Sequence, residues 1–509
     1  MKEICYIPCM ELITKTYEEK ISFVLSFYDR LVFTGVMPEI SYAQGMTSYL
    51  YNNNIRIFDY PKFAEPFKKQ ILENAEKLAK ENGIEIEFIR KSKIRKEDII
   101  SKKIKDRGTT PGLVHVISAM ETCPTYKPWH DKKSGRTFVK PDQSKCLHYY
   151  FYFIDEYLGL CYVRVPTWAP FRLQVYMNGH NMLASQLDAS GISYTMIDNA
   201  FDSLSNVKKA QELADGIDIN KIHRRLDEIA WRYCGVHKNL GFRYHWTIMQ
   251  AEYATDIVFK KQEDLQAIYG EITATAVHTV KPDNVATFLG RKLDGRYQGE
   301  VGNNYNVRIE GSRIKHSMGP VSIKIYDKFS KILRIETTTN DVSFFKHYRE
   351  VVHRDGTRSM KNAPLKKGIY SLGMLKDNLL AANNRYLEFI SSFDNKEAGH
   401  KRLEKISSSK IEGNRRYKGF NFFDTKDLHI LVTILRGEFN IRGFQNKDLQ
   451  KLLGLSSAHI SRLLKRLRIH GLIKKVANTY KYYVQKLGKE IIIMAEKIKE
   501  LVLVPAFCY

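Results

Sequence analysis

A helical pattern near the C-terminus constrains the fold of this chain more than any other segment. Apolar residues recur there at helical spacing, and Gly471 ends the pattern. The apolar stripe consists of Ile460, Leu463, Leu464 and Leu467. Ser456 or Ser457 would cap the helix at its N-terminus. The sequence therefore predicts an amphipathic helix that begins near 457 and buries one face.

Two helices are predicted before this one, and a β-hairpin is predicted after it. The preceding helices are expected over 424–436 and 446–453, with Gly454 interrupting the pattern between the second and the third. The runs 472–476 and 480–485 flank an Asn478-Thr479 turn, and both are rich in β-forming and basic residues. The predicted order is three helices followed by a basic hairpin.

The exposed face of the third helix carries Arg, Lys, Ser and His side chains. Such a face fits the major groove of DNA, because cations meet phosphates while hydroxyl, imidazole and guanidinium groups reach base edges. This pattern predicts DNA binding. The alternatives are a small helical domain whose basic face is only solvated, or a domain of this kind that contacts proteins.

The segment 421–490 resembles the MarR-like winged-helix class of DNA-binding domains. The resemblance rests on Ser-x-x-x-Ser-Arg-Leu-Leu-Lys in the third helix and on the Gly-Leu-Ile-Lys-Lys that follows it. It implies that the third helix faces the groove with Ser457, Ser461, Arg462 and Lys465, and that the wing carries Lys474, Lys475 and Lys481. Arg466, also on the basic side of the helix, completes the set of predicted nucleic-acid-binding residues.

Composition sets broader limits on the class of protein. A chain of 509 residues has room for several domains, and its 43% of hydrophobic residues is enough for ordinary cores, which excludes wholesale disorder. The net charge of +25 favours polyanionic partners. Charge alone does not separate DNA from RNA, or either from an anionic membrane surface.

Cysteine usage and hydropathy indicate the compartment. The seven Cys form no CxxC pair and show no Cys/His spacing typical of a zinc site, and an odd, scattered count fits a reducing cytoplasm. No run approaches the roughly 20 apolar residues of a membrane helix. Glu3 and the lack of a long apolar core argue against a signal peptide. We therefore expect a cytoplasmic protein without a membrane partner.

The order of predicted elements indicates an α+β multidomain protein. Between 84 and 191 the order is β-α-β-β-β-α, which favours a mixed or antiparallel sheet with helices. The predicted divisions are an N-terminal helical region (1–62), an α/β domain (63–235), a second α+β domain (236–406), a basic linker (407–420) and the winged helix (421–509). Within them, a helix is expected over 10–30 and a loop over 123–144.

A ribonuclease-H-like core is an alternative interpretation of 147–191. Such a core needs a carboxylate in the middle of a strand to bind metal. Asp155 and Glu156 instead fall at a predicted turn.

The segment 311–341 carries the candidate chemistry. Alternation within two predicted strands places Tyr326, Arg334 and Glu336 on one face of a sheet. A tyrosine phenolate can attack a phosphodiester and form a covalent phosphotyrosine. A divalent metal held by carboxylates would polarise the phosphoryl oxygens, and Arg334 would stabilise the charge of the transition state.

The same segment resembles the plasmid rolling-circle replication initiators of the Rep_trans type. The matching motifs are Gly311-Ser312-Arg313, Tyr326-Asp327-Lys328 and Arg334-Ile335-Glu336. The resemblance implies Tyr326 as the nucleophile, and Glu336 with Glu310 as ligands of Mg²⁺ or Mn²⁺. The family usually has a carboxylate after Tyr-Asp-Lys, where this chain has Phe329-Ser330-Lys331. The alternative is a plain β-hairpin with Lys/Arg–Glu pairs across its strands.

These patterns together predict a DNA-binding protein of DNA metabolism on a mobile element, resembling a replication initiator or a nicking enzyme. One alternative is a non-enzymatic transcriptional regulator, for which an amphipathic helix over 490–501 would form a homodimer contact. Another is an RNA-binding protein in which a Tyr-rich sheet stacks on bases.

Overall fold

A computed structural model describes residues 12–90, 94–291, 293, 300–308, 311–391, 404, 406–422, 424–477, 479–485, 488–489 and 492–493. The fold is α+β, as predicted, with helices packed on mixed β-sheet. The predicted helix over 490–501 lies almost entirely outside the described residues. Glu310 also lies outside them.

The helices in the described part of the chain are α1 (Ile13–Thr16), α2 (Ala43–Asn52), α3 (Tyr60–Glu81), α4 (Lys96–Arg107), α5 (Gly179–Ala189), α6 (Val207–Asp215), α7 (Ile219–Tyr233), α8 (Val236–Leu240), α9 (Gln262–His278), α10 (Pro282–Phe288), α11 (Leu372–Ile390), α12 (Thr425–Ile434), α13 (Gly437–Arg442), α14 (Asn446–Leu453) and α15 (Ser457–Ile469).

The strands are β1 (Ile21–Val36), β2 (Glu87–Ile89), β3 (Gly112–Asp131), β4 (Arg136–Asp155), β5 (Gly159–Pro166), β6 (Leu173–Asn178), β7 (Tyr194–Ile197), β8 (Ala200–Leu204), β9 (His245–Phe259), β10 (Val301–Arg308), β11 (Gly311–Met318), β12 (Val321–Lys328), β13 (Ile332–Thr339), β14 (Lys346–Val352), β15 (Arg358–Pro364), β16 (Lys410–Glu412), β17 (Arg415–Tyr417), β18 (Ile473–Lys475) and β19 (Tyr482–Val484).

The chain divides into two compact units. The first contains the described residues of 1–25, 254–338 and 377–509, and the second contains those of 26–253 and 339–376.

The body of the first unit is a sheet with the strand order β10-β11-β12-β13-β9. The pairs β10–β11 and β11–β12 are antiparallel. Helix α9 is joined to the sheet by Tyr269, whose hydroxyl donates to the carbonyl of Ser312 and accepts from the backbone N–H of Asp327 at 3.1 Å. Helix α11 is joined by Asn383, whose amide donates to Thr255 at 3.1 Å.

The C-terminal part of the first unit has an apolar core of its own. The core draws on α12, α13, α14, α15 and the β18–β19 hairpin, and its buried members are Ile406, Phe420, Phe422, Leu431, Ile434, Phe439, Phe444, Leu449, Ile460, Leu463, Leu464, Leu467, Leu472, Ile473, Val484 and Ile492. At the start of α13 a Cβ atom on Gly437 would overlap Thr287 of α10. Glycine is therefore required where α13 meets α10.

The second unit contains a sheet with the strand order β1-β6-β5-β4-β3-β2. Its strands are antiparallel except for β2, which runs parallel to β3. Helix α4 packs on this sheet through Ile100, which lies in a buried cluster with Ile117, Tyr150 and Tyr152.

The predicted helix over 10–30 is wrong. Among the described residues there, only Ile13–Thr16 and a short 3-10 helix at Glu18–Lys20 are helical, and β1 begins at Ile21. The side chains of Phe27, Tyr28 and Leu31 are all buried, so β1 is buried on both faces. A strand buried on both faces shows no polar–apolar alternation, and its apolar residues can match a helical spacing by chance.

The predicted loop over 123–144 is also wrong. Strands β3 and β4 stay paired as far as Asp131 and Arg136, and the turn between them contains Gly135 in the left-handed region. Tyr126 and Val139 are buried within this hairpin. Its Lys, Pro and Gly content reflects the exposure of the outer hairpin rather than an absence of strands.

Asp155 lies at the end of β4, as its assignment to a turn predicted. One of its carboxylate oxygens accepts the backbone N–H groups of Tyr157 at 2.8 Å and Leu158 at 2.9 Å. This carboxylate closes the β4–β5 turn, so the position does not support the ribonuclease-H-like interpretation.

Candidate functional site

Helix α15 begins and packs as the sequence predicted. Ser456 is the N-cap residue, and its hydroxyl accepts the backbone N–H of His459. The predicted stripe of Ile460, Leu463, Leu464 and Leu467 is buried. Because the apolar face is held in the core, the opposite face of α15 is fixed toward solvent.

The turn between α14 and α15 is held by one amide side chain. Asn446 donates to the hydroxyl of Ser461 at 2.8 Å and to the carbonyl of Ser457 at 3.0 Å. Gly454 ends α14 in the left-handed conformation, which costs glycine no steric strain. The predicted groove residues Ser457 and Ser461 are thus exposed but already bonded to Asn446, which orients both hydroxyls. No sequence motif singled out Asn446.

The basic side chains around α15 are largely exposed. On the helix, His459, Arg462 and Arg468 face solvent. On the adjacent hairpin, the exposed residues include the predicted wing lysines Lys474, Lys475 and Lys481. Backbone bonds between Phe444 and Tyr482 at 2.8 and 2.9 Å add a third extended segment beside β18 and β19. The exposed cations therefore lie on two adjoining elements, one helical and one extended.

Lys465 is exposed, but it contacts the hairpin β16–β17. Its ammonium lies 3.3 Å from the carboxylate of Glu412 and over the ring of Tyr417. Hydrogen bonds to Tyr417 and Glu412 raise the pKa of Lys465. This hairpin lies within the segment predicted as a linker, so the linker prediction missed a structured contact with α15.

Arg466 is directed inward. Its guanidinium binds both carboxylate oxygens of Asp427, each at 2.9 Å, and donates to the carbonyls of Lys418 and Gly419. It also lies 3.9 Å above the ring of Phe420. We therefore remove Arg466 from the proposed DNA-contacting residues, because its donors stabilise the domain itself.

In the body of the first unit, Tyr326 and Glu336 are brought together as the alternation predicted. The Tyr326 hydroxyl donates to one oxygen of Glu336 at 2.7 Å, and Lys324 donates to the other at 2.6 Å. Thr338 also donates to that second oxygen, at 3.2 Å. Glu336 is buried, whereas Tyr326 and Lys324 are partly exposed.

Arg334 is placed differently from its predicted role. It is fully buried, and its guanidinium forms a forked pair with Asp256, with both N···O distances at 2.6 Å. A group without solvent exposure does not meet a phosphate unless the strands separate. Arg334 thus fixes β13 to β9, and its contact with substrate stays a prediction.

The metal predicted at Glu336 stays a prediction. Both carboxylate oxygens already accept hydrogen bonds, one of them from an ammonium group. A divalent cation there would compete with the Lys324 ammonium for the same carboxylate. The second predicted ligand, Glu310, lies outside the described residues.

No protein-family model matches the chain, and no curated protein matches it. A solved structure of the class II 3-hydroxy-3-methylglutaryl-CoA reductase from Streptococcus pneumoniae, bound to NADPH, aligns with 87% of this chain and 78% of its own at 11% identity, with a TM-score of 0.13. That similarity is too low to indicate a shared fold. Among the described helices, none combines the length and apolar content needed to cross a membrane.

Proposed function

We propose that this protein binds duplex DNA through a C-terminal winged helix made of α12, α14, α15 and the β18–β19 hairpin. The observation that carries the proposal is the set of exposed cations on α15 and the hairpin, held outward by a buried apolar face. Phosphate contacts from lysines and arginines supply affinity, and side chains near the start of a recognition helix meet base edges.

Within this surface the residues have different tasks. Arg462 and His459, in the first half of α15, are the proposed base-contacting residues. Lys474, Lys475 and Lys481 are the proposed phosphate contacts of the wing. Ser457, Ser461 and Lys465 complete the helix face. The bonds of Asn446 to the helix are consistent with a fixed angle between α14 and α15.

The RNA-binding alternative is less favoured. In the Tyr-rich sheet of the second unit, Tyr150 and Tyr152 are buried and pack against Ile100 of α4. The ammonium of Lys96 covers the ring of Tyr150 at 3.5 Å. Stacking on bases needs open ring faces, which these tyrosines lack.

The test is selection of duplexes from a random-sequence pool by the full chain, followed by binding measurements with Arg462→Ala and Lys475→Ala. We expect Arg462→Ala to weaken binding to the selected duplex by about 1–3 kcal/mol and to relax its sequence preference. Lys475→Ala should weaken binding to all duplexes alike, because phosphates are the same in every sequence.

Arg354→Ala is the matched control, since Arg354 is an exposed arginine far along the chain from the winged helix. It should leave the affinity unchanged. Equal losses for Arg354→Ala and Arg462→Ala, or tighter binding to single-stranded RNA than to duplex DNA at the same salt concentration, would contradict the proposal.

Nicking of DNA is a second candidate function, supported by the hydrogen bond between Tyr326 and Glu336. In the proposed step the Tyr326 oxygen bonds to phosphorus while the bond from phosphorus to the leaving sugar oxygen breaks. The phenol proton passes to Glu336 and from there to the leaving oxygen. Lys324 would stabilise the phosphoryl charge. This activity would place the protein in DNA metabolism on a mobile element, as a replication initiator or nicking enzyme.

Tyr326→Phe should abolish relaxation of supercoiled DNA and any covalent protein–DNA adduct, while duplex affinity stays unchanged. The assay is run with Mg²⁺, with Mn²⁺ and with a chelator. Tyr305→Phe removes a more exposed phenol of the same unit and should retain activity. If wild-type protein neither nicks nor forms an adduct under any condition, the nicking proposal fails. A palindromic footprint would then favour a dimeric transcriptional regulator.

A further inference from the structure

Strands β3 and β4 of the second unit bring together three side chains that are typical metal ligands. Cys123 lies on β3, and Cys146 and His148 lie on β4. One potential ligand atom from each lies within 4.8 Å of the other two, and all three residues are buried. The long hairpin separates Cys123 in sequence from Cys146 and His148, so no local spacing motif indicates the three residues as a group.

The histidine is oriented by a backbone group. His148 Nδ1 lies 3.1 Å from the carbonyl oxygen of Cys146, which can only accept a hydrogen bond. Nδ1 therefore carries the proton, and the lone pair on Nε2 is left for a ligand bond. A metal-binding histidine generally donates its other N–H to a carbonyl or carboxylate in this way.

Two cations and one carboxylate form a network beside the cluster, with one positive charge in excess. Arg164 lies 2.9 Å from Glu121, which also accepts from Tyr150 and from Lys96 at 3.1 Å. An excess of positive charge favours a thiolate over a thiol, and thiolate is the form of cysteine that binds metal.

We propose that Cys123, Cys146 and His148 bind a zinc ion, with a fourth position open to water or a small ligand. Two thiolates and one imidazole suit borderline-soft Zn²⁺ better than Mg²⁺ or Ca²⁺, which prefer oxygen ligands. The distance from Cys146 Sγ to His148 Nε2 is 4.0 Å, close to the roughly 3.6 Å edge of a tetrahedral zinc site.

The two sulfurs lie 2.7 Å apart, so they would have to separate by about 1 Å to reach the edge length of a tetrahedral zinc site. A disulfide is the competing outcome. The strand register pairs Cys123 with Ser144 and places it diagonal to Cys146, so the two thiols meet through the orientation of their side chains.

The test measures the metal content of the full chain, purified without chelator, and titrates the metal-free protein with Co²⁺. We expect one zinc per chain, and visible absorption bands with thiolate-to-cobalt charge transfer when Co²⁺ binds. Replacing a residue that only orients a metal ligand typically costs roughly 10–100-fold in metal affinity. We expect a larger loss from each ligand variant: Cys123→Ser, Cys146→Ser and His148→Gln.

Cys161→Ser is the matched control, because Cys161 is a buried free thiol on the neighbouring strand β5 outside the cluster. It should bind metal as the wild type does. If a serine variant fails to fold, the intensity of the wild-type charge-transfer band still counts the bound thiolates. A Cys123–Cys146 disulfide found by peptide mapping of the native protein, or a chain that binds neither zinc nor cobalt, would overturn the proposal.

Discussion

Buried polar side chains determine which strands and helices of the first unit stay together. Arg334 and Asp256 form a charged pair without solvent exposure, and Asn383 links α11 to Thr337 through a 2.6 Å hydrogen bond. Removing one partner of such a pair leaves an uncompensated buried group, which is strongly destabilising. These residues stabilise the sheet on which Tyr326 and Glu336 sit, so their substitution would disturb the candidate site indirectly.

His316 should make the first unit sensitive to acid. Its ring is fully buried, with Nδ1 2.8 Å from the side-chain oxygen of Asn303 and Nε2 2.8 Å from the Tyr386 hydroxyl. Burial lowers the pKa of His316 from 6.5 to about 4. The unfolded chain therefore takes up the proton first, and stability is lost as the pH falls from 6.5 toward 4. The full contribution is about 3 kcal/mol, at about 1.4 kcal/mol for each pKa unit.

Urea unfolding followed by circular dichroism between pH 7 and 4 measures this contribution. His316→Gln should show a smaller fall in the free energy of unfolding over that range than the wild type, relative to its own value at pH 7. His245→Gln removes an exposed histidine and should follow the wild type. The same acid sensitivity in His316→Gln as in the wild type would show that His316 is not responsible.

Among the helices and strands, the sequence correctly predicted elements in which apolar residues recur at a single spacing, either that of a helix or that of a strand. The buried stripe of α15 and the strand pair β12–β13 were both expected, and so was the meeting of Tyr326 with Glu336. Strand β1 was missed because burial on both faces removes the alternation that identifies a strand. Arg334 was predicted to contact the substrate because alternation indicates only which face of the sheet a side chain lies on. It does not reveal a partner such as Asp256 on another strand.

The cysteine–histidine cluster shows the same limit at longer range. Cys123 and Cys146 meet only because β3 and β4 are long paired strands, whereas the sequence indicated a loop there. Pairing register depends on tertiary contacts of residues such as Tyr126 and Val139, and no local motif encodes it. A metal site built across strands is therefore invisible to spacing rules derived from single loops.

Across the whole molecule, the excess of 81 Lys and Arg over 56 Asp and Glu is larger than the proposed DNA-binding surface accounts for. Residues 421–509 hold 16 Lys and Arg against 7 Asp and Glu, a net charge of +9, so +16 of the net +25 lies elsewhere in the chain. Diffuse positive charge attracts any polyanion without positioning it. Duplex binding by this chain should then contain a local part and a diffuse part that salt dependence can separate.

Replacing Arg462, Lys474, Lys475 and Lys481 by Ala should reduce the slope of log affinity against log salt concentration by about 0.9 for each phosphate that these side chains neutralise in the wild type. The control replaces Lys62, Lys69, Lys77 and Lys80 of α3, which removes the same charge from an exposed surface. Both proteins would lose four of the 25 net positive charges. If α15 and the hairpin hold the DNA, only the first set changes the slope strongly. Equal slopes for the two variants would mean that net charge, and not a DNA-binding surface on the winged helix, governs binding.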